Sequence, residues 1–234
     1  AHIAAMRAAS TIMLSSESSP AGDANNLSDA SLGGFTAVGL YFDEAQGRLG
    51  NQTAMVRIGR RPASTVPAAR ALPIIIRPRA SSAAPLRMSE AEQSAAYTGN
   101  ACSTSSRDIS YSRLDANATV AIIPCELAAY NSSELVYIGR LVNGRAQWRS
   151  AQFDDARENN ITPSDGPVHA ALVGGASYGD GTLGSGYRGR GIGDCGRSST
   201  HAWDGQRFRL IENRDMPDCR GSHDWLTNWR ATVR

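Results

Sequence analysis

Between Gly186 and Trp229 the chain gathers the residues best able to do chemistry. His201 stands three positions before Asp204, with Ser198 and Ser199 just ahead, so a nucleophile, a base and an orienting carboxylate can be drawn together. A triad is a geometric object, however, and no G-x-S-x-G elbow accompanies this one. Asp194, Asp204, Asp215, Asp218 and Asp224 crowd the same stretch, and paired carboxylates are the machinery of glycoside hydrolysis. Arg188, Arg190, Arg214 and Arg220 interleave with them, and alternating signs favour Arg–Asp pairs and capped turns instead. On that reading Asp194 and Asp218 accept from Arg190 and Arg220 and brace the cysteines beside them. No catalytic residue is assigned; the enzymatic alternative is a hydrolase using Asp204 or Asp224 with His201 or His223.

The run of glycines before Cys195 supports a binding reading. Backbone N–H groups in such a loop can face outward as an anion nest, and Arg188 and Arg190 add charged donors. Tyr187, Arg188 and Arg190 beside Trp203, Trp225 and Trp229 would form a recognition surface, since Tyr, Trp and Arg dominate interface hot spots. The competing assignment puts the tryptophans in the core and uses the glycines for tight packing. Gly179-Asp180-Gly181-Thr182-Leu183-Gly184 fits G-x-G-x-x-G, but the glycines after it cannot sustain the helix that a dinucleotide site needs. No lysine exists for a P-loop. His169 alternates within a strand and reads as structural. No CxxC pair or HxxxH spacing is present, so neither a metal nor a cofactor is expected.

The elements that must position these residues read mostly as hairpins. Asp204-Gly205, between His201-Ala202-Trp203 and Gln206 to Leu210, is a strong two-residue turn signal. It sets Phe208 and Leu210 on one face and brings Trp203 toward Phe208. Closing it draws Cys195 toward Cys219, a bridge worth roughly 3–4 kcal/mol by loop-closure entropy. Four cysteines fit two disulfides and an oxidising compartment. Of three connectivities, Cys102–Cys125 with Cys195–Cys219 leads, because each pair closes a similar loop within its own half. Asn143-Gly144 marks a second hairpin between Leu135–Val142 and Arg145–Ser150. Thr119–Ile123 reads as a strand stopped by Pro124-Cys125, and Val168–Val173 as another. Trp225 and Trp229, four apart, suggest a short helix or tight turn.

The first half is less regular. Residues 1–31 read as a poorly structured segment, with Ile12-Met13-Leu14 as a short strand and Ser15–Asp29 as loop. The spacing of Phe35, Val38 and Phe42 predicts a helix ending at Gly47, and Thr53–Ile58 alternates as a strand. Prolines from 62 to 85 favour an extended connection with an edge strand at Pro73–Ile76. Ser89-Glu90-Ala91-Glu92 is a capping box that opens a helix to about Tyr97. The expected fold class is α+β and β-dominated: antiparallel hairpins with two or three short helices, stabilised by disulfides. Residues 32–234 are expected to form a single domain of two halves, about 32–100 and 101–234, the second β-rich.

Composition is that of a globular chain, 41% hydrophobic and 20% charged, with net charge +2. Near balance implies no nucleic-acid partner. Every one of the 24 basic residues is arginine, which we read as codon bias. No apolar run approaches the ~20 residues of a membrane span.

Gly189-Arg190-Gly191-Ile192-Gly193-Asp194-Cys195-Gly196, Trp203-Asp204-Gly205, Phe208, Leu210 and Cys219-Arg220-Gly221 resemble the C-terminal signature of a bacterial family, domain of unknown function 1176. Upstream, Asp43 to Arg48, Thr53 to Val56, Pro124-Cys125, Ala129-Tyr130-Asn131 and Phe153-Asp154 follow its order, from about Leu32 onward. The resemblance implies a secreted or periplasmic compartment and no particular catalysis. The function expected is a non-catalytic envelope protein that binds another protein or an envelope polymer through its Gly/Arg/Trp face. A structural subunit, pairing its Pro73–Ile76 edge with another chain, is the further alternative.

Overall fold

The computed structural model describes residues 2–14, 28–104, 108–154 and 171–234. His169, residues 168–170 of the expected strand, and most of the Ser15–Asp29 loop lie outside the described residues. The chain divides into two compact units, Ala1–Ala71 and Leu72–Arg234.

In the first unit, helix α1 (His2–Ala8) leads into β1 (Thr11–Leu14), which pairs antiparallel with β2 (Ser28–Ser31). The N-terminal segment, expected to be poorly structured, thus carries regular elements where it is described. Helix α2 (Phe35–Ala45) follows, and Gly47 at φ +68° supplies the left-handed stop. Its buried face is not the one expected. Val38, Tyr41 and Phe42 are exposed, while Gly39 and Asp43 turn inward. The reason is one carboxylate. Asp43 accepts from the backbone N–H groups of Met55 (2.6 Å), Val56 (2.8 Å) and Arg57 (3.3 Å). Those are the donors a strand would give to a ladder, so Thr53–Ile58 forms turns instead of the expected strand. Gly39 lets α2 close on Val56; a Cβ there would lie 2.4 Å from Val56 Cγ2.

In the second unit, β3 (Ile74–Ile75) is followed by α3 (Glu90–Gly99), opened by the full capping box between Ser89 and Glu92. Strands β4 (Ser110–Arg113), β5 (Ala118–Leu127), β6 (Ser132–Val142) and β7 (Arg145–Ser150) form one antiparallel sheet, with β8 (Ala171–Gly174) pairing the start of β6. A second antiparallel sheet is a meander of β9 (Ser177–Gly179), β10 (Thr182–Arg188), β11 (Gly196–Trp203), β12 (Phe208–Met216) and β13 (Leu226–Arg230). The last strand, β14 (Thr232–Val233), returns to lie parallel to β3, so the expected edge strand has a partner in its own chain.

The two sheets pack face to face. Val120, Ile122, Val136 and Ile138 meet Leu183, Trp203 and Phe208 in one core cluster. The opposite face of β5 and β6 puts Ala121, Ile123 and Leu135 against Met88, Ala96 and Tyr97. Covered on both faces, β5 needs apolar residues at successive positions, which explains the unbroken Thr119–Ile123 run. Pro124 does not stop this strand as expected. The register shifts between Pro124 and Glu126, and a bulge accommodates the residue that cannot donate.

The expected fold class holds: β-rich, antiparallel, with three α-helices among the described residues and two disulfides. The leading connectivity, Cys102–Cys125 with Cys195–Cys219, is the one formed. Asn143-Gly144 makes the two-residue turn between β6 and β7, with φ of +51° and +76°. The β11–β12 turn is longer than expected. Residues 204–207 form it and only Gly205 has positive φ, because the Asp204 carboxylate organises the turn by accepting from Gln206 and Arg207 N–H. Trp229 sits on strand β13 rather than a helix, drawn into pairing with Asn213 of β12.

Candidate functional site

At one end of the second unit a groove of about 1080 Å³ opens between the β5–β6 turn and the loop joining β10 to β11. Tyr130, Asn131, Tyr187, Arg197, Ser199 and Asp215 line it, and the Cys195–Cys219 disulfide forms part of its wall. Tyr130 and Tyr187 are 45% and 58% exposed, placing two aromatic rings where a ligand would meet them.

Two braces fix this end. Asn131 bonds the Arg188 backbone in both senses: its Nδ2 donates to the Arg188 carbonyl and its Oδ1 accepts from the Arg188 N–H, each at 2.9 Å. A side-chain amide thereby stands in for a strand partner and ties the β5–β6 turn to β10. The second brace is Asp194, fully buried, which accepts from Arg190 Nε (2.7 Å) and Nη2 (2.5 Å) and from the Gly221 N–H (2.6 Å). The Arg190 guanidinium holds the Asp194 carboxyl well below the usual carboxylate range, with burial opposing it and the Gly221 amide adding to it. Asp194 thus joins the two ends of the disulfide, as the charge pattern suggested. Asp218 and Arg220 approach only to 3.8 Å, on the surface. Gly196 allows β10 and β11 to close here: its φ is +142°, and a Cβ would fall 2.0 Å from the Tyr187 carbonyl.

The residues expected to form a recognition surface do not all converge. Tyr187 lines the groove, and Arg188 is anchored beside it through its backbone. Arg190 is committed to Asp194. Trp203 is a correction. It is 1% exposed in the core, packs edge-on to Phe208 at 5.4 Å and donates to Asp115 Oδ2 at 2.7 Å, so it cannot contribute to an exposed face. Trp225 is half-buried with its ring against Gly196, and Trp229 is exposed on β13, its indole N–H bonded to the Leu210 carbonyl. Tyr130, Asn131 and Arg197 were not anticipated as groove residues. Tyr130 and Asn131 come from the β5–β6 turn and Arg197 from β11, far apart in sequence, so spacing carries no signal; only the family resemblance singled out Tyr130 and Asn131.

Three of the candidate catalytic groups, Ser199, His201 and Asp204, have structural partners. His201 is fully buried with its ring edge-on to Phe153 at 5.1 Å. Ser199 donates to Asn213 Oδ1 rather than to a base. The Asp204 carboxylate is pushed up by burial, but the Arg207 and Gln206 amides and Arg209 outweigh this and hold it low. Asp224 and His223 lie in the exposed loop before β13. Gly179 to Gly184 is the β9–β10 hairpin, with Asp180-Gly181 at its turn, and not a strand-to-helix phosphate loop. The Asp194 carboxylate lies within 4.8 Å of the Cys195 and Cys219 sulfurs, but these are bonded to each other and the carboxylate is held by Arg190. Glu134 is pushed up by burial despite accepting from the Ser132 side chain and the Ala176 N–H. Like Asp43, Asp194 and Asp204, it lies outside the groove lining.

Among the described residues no helix is long and apolar enough to cross a membrane. No solved structure matches the chain. A curated relative, described as "Uncharacterized protein YpfG" from Escherichia coli (strain K12), is 29% identical over 218 residues. The match covers 85% of this chain, which spans only 59% of that relative's length. The family profile described as "Protein of unknown function (DUF1176)" matches residues 1–232, beginning well before Leu32. The chain belongs to the DUF1176 family.

Proposed function

We propose that this chain is a non-catalytic secreted or periplasmic protein of the bacterial envelope that binds another protein or an envelope polymer. The binding face is the groove beside the Cys195–Cys219 disulfide, with Tyr130 and Tyr187 as its aromatic contacts and Arg197 and Asp215 as polar ones. One observation carries this reading. The groove is lined by aromatic, small and polar groups with Glu126, Arg197 and Asp215, whereas Asp43, Glu134, Asp194 and Asp204, the carboxyls with displaced titration among the described residues, lie outside it. An enzyme concentrates such groups in its cleft; a binder needs exposed aromatic surface on a rigid frame. Two disulfides support an oxidising compartment.

The test is affinity capture from an envelope extract with oxidised protein, comparing wild type with Tyr130→Ala/Tyr187→Ala. A stoichiometric partner held by the wild type and lost from the variant is expected. Equal retention by both, or no partner from a full envelope fraction, overturns the reading and redirects effort to hydrolase assays.

A further inference from the structure

A net charge of +2 conceals a strong segregation. After Glu44, to the end of the first unit at Ala71, there is no Asp or Glu, yet Arg48, Arg57, Arg60, Arg61 and Arg70 all fall there. Arg57, Arg60 and Arg61 are exposed on a single loop, and among the described residues no carboxylate forms an ion pair with them. Between them Ile58 is 67% exposed.

This loop is held from beneath by two buried polar side chains. Asp43 gathers the N–H groups of Met55, Val56 and Arg57. Asn51, fully buried, donates to the Pro62 carbonyl (2.6 Å) and Thr65 Oγ1 (3.0 Å) and accepts from the Thr53 N–H (2.8 Å) and hydroxyl (2.7 Å). Gly59 N–H donates to the Asn51 carbonyl at 3.1 Å, and Arg61 N–H to the Gly50 carbonyl at 3.2 Å. Gly59 packs so closely on Gly50 that a Cβ would lie 2.2 Å from its carbonyl oxygen. A loop fixed in this way presents its side chains with little ordering left to do on binding.

We propose that the Arg57–Arg61 loop docks on an anionic phospholipid surface. Arg57, Arg60 and Arg61 face the headgroup phosphates, for which the guanidinium fork is well matched. Ile58 enters the boundary with the acyl chains. A soluble polyanion would satisfy the arginines but offers no apolar phase for Ile58, and that residue selects the membrane. The proposal is independent of the groove in the second unit.

Vesicle flotation of the full, oxidised chain tests it, with phosphatidylcholine vesicles compared against phosphatidylcholine mixed with phosphatidylglycerol. Binding to the mixed vesicles alone is expected, weakening as salt rises. Each arginine near an anionic surface contributes a factor of about five, so Arg57→Gln/Arg60→Gln/Arg61→Gln lowers partitioning about a hundredfold. Arg61 also donates to the Leu49 carbonyl. Arg57→Gln/Arg60→Gln leaves that bond intact and should still lose about 25-fold. Ile58→Ser should lose about tenfold at any salt concentration. Equal binding to both vesicle types, no binding to either, or arginine variants that bind as wild type would overturn the proposal. Unchanged binding by Ile58→Ser, with equal affinity for inorganic polyphosphate, would also overturn it in favour of a soluble polyanion.

Discussion

Replacing Trp203 by Phe probes the link between the two sheets of the second unit. Trp203 ends β11, and its indole N–H donates at 2.7 Å to Asp115, which sits in the turn between β4 and β5. Both residues are buried, and Asp115 also accepts from the Asn117 N–H at 2.7 Å. Trp203→Phe keeps an aromatic ring beside Phe208 but removes the donor and part of the volume. A buried carboxylate losing a hydrogen bond costs about 1.5–3 kcal/mol. The void adds about 1–2 kcal/mol. The expected destabilisation is therefore about 2.5–5 kcal/mol, large for one residue. Asp115→Asn keeps one acceptor oxygen and turns an NH2 group toward the other donor, so it should cost about 1.5–3 kcal/mol. The measurement is urea denaturation followed by circular dichroism, with both disulfides oxidised. A double-mutant cycle with Asp115→Ala should give a coupling of about 1.5–3 kcal/mol. Additivity within about 0.5 kcal/mol would refute the reasoning, because the two residues would then not be acting as a pair.

Gly196→Ala should lower stability by at least about 2 kcal/mol, since strained backbone and a clash with the Tyr187 carbonyl act together; a thermal melt unchanged from wild type would contradict this. Reducing the Cys195–Cys219 bridge, which spans 24 residues, should remove about 3 kcal/mol and open the groove wall, read as a lower melting temperature of Cys195→Ser/Cys219→Ser. Asp194 is held low in the folded state, so its contribution is complete above the unfolded value of about 3.9 and is lost as pH falls below it. Asp194→Asn should therefore show a shallower loss of melting temperature below about pH 4 than wild type, and parallel curves would exclude the brace. Ser89→Ala should cost about 1 kcal/mol through loss of the α3 cap, and an unchanged midpoint would show the capping box to be dispensable.

Local signals in the sequence determined the local structure. Ser89 and Glu92 cap α3 because a capping box needs only residues three apart. Asn143-Gly144 makes its turn because positive φ is a property of those two residues. Cys195 meets Cys219 because the hairpin between them brings their strands together. The Arg190–Asp194 pair, four residues apart, was readable for the same reason.

Tertiary structure decided the rest, wherever a side chain's partner lay far along the chain. The alternation at Thr53–Ile58 reads as a strand, but Asp43 takes the amides that a strand would share with a neighbour. Pro124 reads as a stop, but burial of β5 on both faces and a bulge carry the strand through it. Trp203 reads as core or as surface until the Asp115 carboxylate and the opposing sheet are placed beside it. The groove depends most on long-range contacts, because Tyr130 and Tyr187 share it only once Asn131 has tied one sheet's turn to the other sheet's strand. Spacing in sequence reports the reach of a few bonds, whereas a cleft between two sheets depends on which distant strands pack together.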